Sequence, residues 1–206
     1  MKTKKIGIID YGLGNLASVV NALRYLKYNA EIISNSEDSK LYTHLILPGV
    51  GSFKKGMEEL KKNSWDIVLK DYNKQGGKIL GICLGMQLLF SSSEEEGVTE
   101  GLNFFEGICT KLKASTNYPI PHIGFNSVSH NGSGIWNGIN KNCFLYFVHS
   151  FAIKNTHKKN KQAITKYGKE DFISFIEGDN IFGAQFHPEK SHVVGLKFLK
   201  NFIEED

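Results

Sequence analysis

The chain is poor in cysteine, in long apolar runs and in excess charge, and each shortage removes a class of protein. Its 206 residues hold three cysteines, Cys83, Cys109 and Cys143, widely spaced and without a CxxC pair. An odd, scattered set argues against a disulfide framework and against a zinc site, and fits a reducing cytoplasm. No stretch approaches the roughly 20 consecutive apolar residues that a membrane span requires. Lysines precede the first apolar run, but Asp10 interrupts it after a few residues, so no export signal is expected. Net charge is only +4 and the lysines scatter instead of forming a stripe, so neither nucleic acid nor an anionic membrane is a natural partner on charge grounds. The densest basic run, His157 to Lys161, reads as a solvated loop. Linkers and internal repeats are absent, and low complexity is confined to Ser91–Glu96. With 41% hydrophobic and 22% charged residues the chain has the balance of a globular enzyme, and its length suits a single domain spanning 1–206.

What is present is an alternation. Lys4 to Asp10 is a short apolar run, followed by a glycine turn and then by Leu16, Val19, Val20, Leu23 and Leu26 at helical spacing. Apolar runs recur at Glu31–Ser34 and His44–Pro48, a helix is expected around Trp65–Tyr72, and Lys78–Cys83 leads into another helix. Strands alternating with helices predict an α/β fold, a mostly parallel open sheet flanked by helices. The C-terminal half reads as additional antiparallel strands, Cys143–Val148, Ala163–Tyr167, Asp171–Ile176 and Asn180–Phe186, the last two forming a hairpin through Glu177-Gly-Asp179. A terminal amphipathic helix is expected from about Ser191 to Phe202.

Gly81-Ile-Cys83-Leu-Gly85 has the form Gly-x-nucleophile-x-Gly, the sharp strand-to-helix turn called a nucleophile elbow, with cysteine in place of serine. Side chains at the flanking glycines would collide with the neighbouring strand and helix, and the positive end of the helix that follows favours a thiolate. Taken alone, a lone cysteine at a strand end is most often a small buried hydrophobe. A nucleophilic thiol needs a base, and of the seven histidines His187 stands out in Gln185-Phe-His-Pro-Glu189. Pro188 pushes His187 into the extended region, where residues i and i+2 project on the same side, so Glu189 would point with it and fix its tautomer. Pro48-Gly-Val50-Gly51 follows a strand expected to be adjacent; its glycines free a peptide N–H that, with the N–H of Leu84, would form an oxyanion hole at the carboxyl ends of the strands.

The elbow GICLGMQLLF, the late HPE and PGVGSF together resemble the class I glutamine amidotransferases, a flavodoxin-like α/β family, from end to end of the chain. Within that group Ile9–Asn15, Pro48–Phe53, Pro121–Asn126, Tyr146–Ser150 and Gln185–Ser191 are similar to the glutaminase subunit of imidazole glycerol phosphate synthase; other branches usually carry Pro-Gly-Gly in the second of these segments. The resemblance implies a catalytic triad of Cys83, His187 and Glu189, an oxyanion hole from the backbone of Val50, Gly51 and Leu84, and no metal or cofactor. It implies that Gln87, Glu95 and the backbone of Ser150 and Phe151 hold the amino-acid end of glutamine. It also implies a partner, a (β/α)8-barrel cyclase in a 1:1 heterodimer, fed with ammonia through a dry conduit to make imidazole glycerol phosphate and a purine precursor in histidine biosynthesis. His122-Ile-Gly-Phe-Asn126 departs from the family's His-x-Gly-Trp-Asn on the segment that lies towards the partner. That leaves open a paralogous branch that feeds ammonia to the amidation of a surface-polysaccharide sugar.

Rivals of other classes remain. Gly12-Leu-Gly14-Asn-Leu-Ala17 matches the dinucleotide fingerprint G-x-G-x-x-A, although Ser34–Ser36 stands where that fingerprint asks for an acidic residue. A non-catalytic relative sits poorly with an intact triad, and a cysteine peptidase or deglycase sits poorly with Gln87 and the Pro-Gly-Val-Gly loop.

Overall fold

The computed structural model describes residues 4–156 and 160–205; of the basic run His157–Lys161, residues 157–159 lie outside the described residues. In the first half β1 (Ile6–Ile9), α1 (Leu16–Tyr25), β2 (Ala30–Ile33), β3 (His44–Leu47), α2 (Phe53–Lys62), α3 (Trp65–Lys74), β4 (Lys78–Ile82) and the short α4 (Leu84–Leu88) follow in order. The second half adds β5 (Phe90–Ser93), β6 (Thr99–Glu100), β7 (Phe105–Lys111), β8 (His122–Ser129), β9 (Asn142–His149), β10 (Phe151–Ile153), β11 (Lys161–Tyr167), β12 (Glu170–Gly178), β13 (Ile181–Ala184) and α5 (His192–Glu204).

Nine strands form one sheet in the order β2-β1-β3-β4-β13-β12-β11-β8-β9. The five from β2 to β13 are parallel, and the pairings from β13 out to β9 are antiparallel. β1, β3 and β13 are buried at every position, as strands covered on both faces must be. One face packs Val19 and Leu23 of α1 and Phe198, Leu199 and Phe202 of α5 into a first core. The other face packs α2, α3 and a second sheet, β10-β7-β5-β6, around Trp65, Phe90 and Phe105.

Strands β6, β7, β8 and β10 lie where the sequence reading assigned no element, and three further features differ from it. Ser91–Ser93, read as low complexity, belongs to β5, which is paired to β7 and half-buried. The helix α2, inserted before the one expected near Trp65, turns Phe53, Met57 and Leu60 inward. The β12–β13 hairpin turns at Asp179 and Asn180, both at positive φ (46° and 64°), with Gly178 facing Ile181; the two-residue turn is the type whose twist matches the flanking strands.

Candidate active site

Topology brings the carboxyl ends of β3, β4 and β13 side by side, and the loops leaving them meet over Cys83. Cys83 sits between β4 and α4 at φ 55°, ψ −110°, a conformation that costs a non-glycine residue about 1–3 kcal/mol unless its surroundings over-determine it. They do so here. Its N–H donates to the Ala184 carbonyl of β13 at 2.7 Å, and its carbonyl accepts from the Gln87 N–H of α4 at 3.1 Å. The glycines of the elbow are steric necessities: a Cβ on Gly81 would lie 2.6 Å from the Gly85 carbonyl oxygen, and one on Gly85 would overlap the Leu47 carbonyl oxygen of β3.

His187 follows β13, and its N–H donates to Tyr146 of β9 at 2.8 Å. It is extended, as the following proline requires, but Glu189 reaches it by another route than a straight strand. Pro188–Lys190 form a 3-10 turn, which proline at its first position favours, and this folds the Glu189 carboxylate back onto His187 Nδ1 at 2.8 Å. A carboxylate oxygen only accepts, so Nδ1 carries the proton and Nε2 is the basic nitrogen. Both side chains are almost fully buried. Burial lowers the pKa of His187, but the Cys83 sulfur and the Glu189 carboxylate overcome it and push it up to about 10. Nε2 makes no hydrogen bond of standard geometry, yet the Cys83 sulfur is close enough for hydrogen bonding and charge from it to raise the His187 pKa. Sγ also rests against two other groups, 3.8 Å from the Val148 carbonyl that accepts its proton and 3.8 Å from the Gln185 amide nitrogen.

A cavity of about 280 Å³ opens beside the sulfur. Its lining contains the residues singled out from sequence for the oxyanion and substrate roles: Val50, Gly51, Leu84, Gln87, Glu95, Ser150 and Phe151. Leu84 opens α4, so its N–H has no partner within the helix. Gly51 has φ 122°, a value glycine alone adopts without strain. Glu95 accepts from the Phe53 N–H at 2.8 Å, and its pKa is raised because burial outweighs that bond. The Gln87 amide nitrogen donates to the Phe151 carbonyl and to Gln185 Oε1, each at 2.9 Å, which commits both its protons and leaves only its oxygen for a substrate. The Ser150 carbonyl accepts from the Leu112 N–H at 2.9 Å and the Phe151 carbonyl also takes the His149 ring.

Sequence reasoning did not assign Tyr11, Val148, His149 or Gln185. Val148 and His149 line the cavity, and their neighbours Ser150 and Phe151 were the available signal. The Tyr11 hydroxyl is buried against Gly49 without a hydrogen-bond partner, and burial first, then Cys83, raises its pKa. The dinucleotide turn gains nothing from the structure: Gly14 packs on Pro48, Asn15 caps α1, and Asn35 beyond β2 caps a short turn. Among the described residues no group of three or more His, Cys, Asp or Glu could hold a metal ion.

A flavodoxin-like sheet with a cysteine elbow, a carboxylate-held histidine and a small cavity beside the cysteine defines a class, and the chain belongs to it: the glutamine amidotransferase class-I family, whose model matches residues 7–205. Two relatives are alike in name. The imidazole glycerol phosphate synthase subunit HisH of Caldanaerobacter subterraneus subsp. tengcongensis is 46% identical over 97% of each chain. The HisH subunit of Bacillus mycoides is 42% identical over 96% of this chain and 93% of its own. Among solved structures, a glutamine amidotransferase superposes with a TM-score of 0.76 over 97% of both chains at 14% identity, a likeness of fold alone.

Proposed function

We propose that this protein is the glutaminase subunit of an imidazole glycerol phosphate synthase in histidine biosynthesis, acting as one amidotransferase domain in the cytoplasm. The observation that carries the reading is that Cys83 lines one cavity with the predicted oxyanion and substrate residues while the buried His187–Glu189 pair stands within electrostatic reach of its sulfur. HisH relatives matching this chain over nearly its full length support the histidine branch over sugar amidation.

In this reading the Cys83 thiol gives its proton to His187 Nε2, and the sulfur attacks the carboxamide carbon of glutamine. The oxyanion that forms is received by the N–H of Leu84 and of the Val50–Gly51 segment. His187 then protonates the departing nitrogen, the C–N bond breaks, and ammonia leaves a γ-glutamyl thioester. Water loses a proton to the same imidazole, attacks the thioester and releases glutamate, while His187 returns the proton to sulfur. Glu189 holds the imidazolium throughout. The Gln87 oxygen is suited to the α-ammonium of glutamine, and the free face of Glu95 to the same group.

The ammonia passes to a (β/α)8-barrel cyclase in a 1:1 heterodimer. An exposed apolar strip supports this partner: Ile123 and Phe125 of β8 lie beside Val148 and Tyr146 of β9, with Phe144 further along, and Val148 is also part of the cavity wall. Glutamate release is the test, measured on the chain alone and with a cyclase and its nucleotide substrate. The chain alone should be slow, the loaded complex at least tenfold faster, and Cys83→Ala inactive with glutamine while the complex still uses added ammonium salt. Glutamate release by Cys83→Ala at the parental rate would refute the nucleophile.

A further inference from the structure

A polar chain, buried from His122 inward, runs from the outer strands of the sheet to the Cys83 sulfur, and its direction can be read from either end. At the outer end Asn126 Oδ1 accepts from the Ser127 N–H at 2.7 Å and Nδ2 donates to the Lys166 carbonyl at 3.0 Å, which fixes the side-chain amide. Nδ2 therefore donates to His122 Nε2 at 3.3 Å, the His122 proton sits on Nδ1, and Nδ1 donates to His149 Nε2 at 3.1 Å. The inner end gives the same answer: the Phe151 carbonyl can only accept, so His149 Nδ1 donates to it at 2.8 Å and Nε2 is bare. Both rings are neutral in this arrangement, and burial, the leading cause in each, lowers His122 to about 4 and His149 to about 3.

The second acceptor position of the Phe151 carbonyl is filled by the Gln87 amide nitrogen, whose other proton goes to Gln185. The Gln185 atom receiving it must be Oε1. Its amide nitrogen is thereby turned to Cys83 Sγ, at 3.8 Å, with the side chain wholly buried. An amide that could have flipped has one orientation, set by carbonyl acceptors that cannot reverse.

We propose that Gln185 is a further catalytic residue of this centre, donating through its side-chain amide to the Cys83 sulfur as the thiolate forms, while Gln87, itself fixed by the Phe151 carbonyl, holds the amide in the donating orientation. When the thiol proton moves to His187 Nε2, the sulfur gains charge and the long N–H···S contact becomes charge-assisted, so it shortens and strengthens. The oxygen of Gln185 cannot be presented instead, because turning it would set two donors, Gln87 and Gln185, face to face.

The other titratable groups around the sulfur leave it to this donor and to His187. Tyr11, from the β1–α1 turn, and Cys109 of β7 are held neutral by burial, His149 of β9 is neutral, and Glu189 is bound to the far side of the His187 ring. The experiment is alkylation of Cys83 with iodoacetamide in the full chain, followed by mass spectrometry; the other thiols, buried and raised in pKa, Cys143 to about 11, react slowly. Gln185→Leu should slow alkylation about fivefold near pH 7, the size of one modest hydrogen bond. Should that variant fold poorly, Gln185→Met, unbranched and of similar length, carries the same expectation. Parental reactivity near pH 7 in a folded variant overturns the role. The inference rests on Cys83 as the nucleophile but the assay needs no glutamine, so loss of the glutaminase reading would show separately, as absent glutamate release by the parental complex.

Discussion

At the scale of single residues, His187 is a strongly perturbed base, and its perturbation has a source that can be removed. Burial alone would lower its pKa; the sulfur of Cys83 and the carboxylate of Glu189 reverse the sign and hold it near 10. In Cys83→Ala the sulfur is gone and burial regains ground, so the His187 pKa should fall, as an NMR titration of its ring protons would show. The same shift links to stability. A folded-state pKa above the ordinary histidine value of about 6.5 contributes stability that is complete below that value and is lost as pH rises through about 10. Denaturant unfolding between neutral pH and about 10 should therefore show falling stability in the parental chain and a shallower fall in Cys83→Ala. Unchanged slopes would remove the sulfur from the account.

At the scale of elements, the elbow is a packing solution before it is a chemical one. β4, α4 and β3 meet so closely at Gly85 that any side chain would displace the Leu47 carbonyl, so Gly85→Ala should cost about 3 kcal/mol or more and lower the melting temperature by about 6–12 °C or more, or prevent folding. Gly51→Ala meets open space and suffers only from φ 122°, so it should lose about 1–2 kcal/mol and stay folded. The strand–helix alternation and the elbow were legible in the sequence because each is local: a period of apolar residues, or two glycines around a cysteine. The Ser-rich β5 was not, because serine carries little strand signal and its pairing with β7 is non-local. Within the site, the cysteine and the HPE segment could be recognised from their own residues, whereas Gln185 could not, since its partners lie 98 and 102 positions away and only β4–β13 pairing brings them together. The straight-strand reading of His187 and Glu189 brought the right residues together through the wrong geometry, because a proline also starts a tight turn.

At the scale of the whole molecule, the antiparallel half of the sheet gives the cavity its outer wall and an exposed apolar surface on the same strands. Phe125 stacks on the ring of His192, 5.2 Å between centroids, while still presenting its outer face. Replacing it by glutamate should leave the melting temperature within a few degrees of parental and weaken binding of the cyclase about tenfold or more, measured by titration calorimetry; unchanged affinity would move the docking surface elsewhere. β13, the last strand in the chain, is not at an edge but between β4 and β12. A ribosome therefore delivers the thiol long before the imidazole, and the growing chain carries an incomplete centre until its final strand slots into the gap left for it.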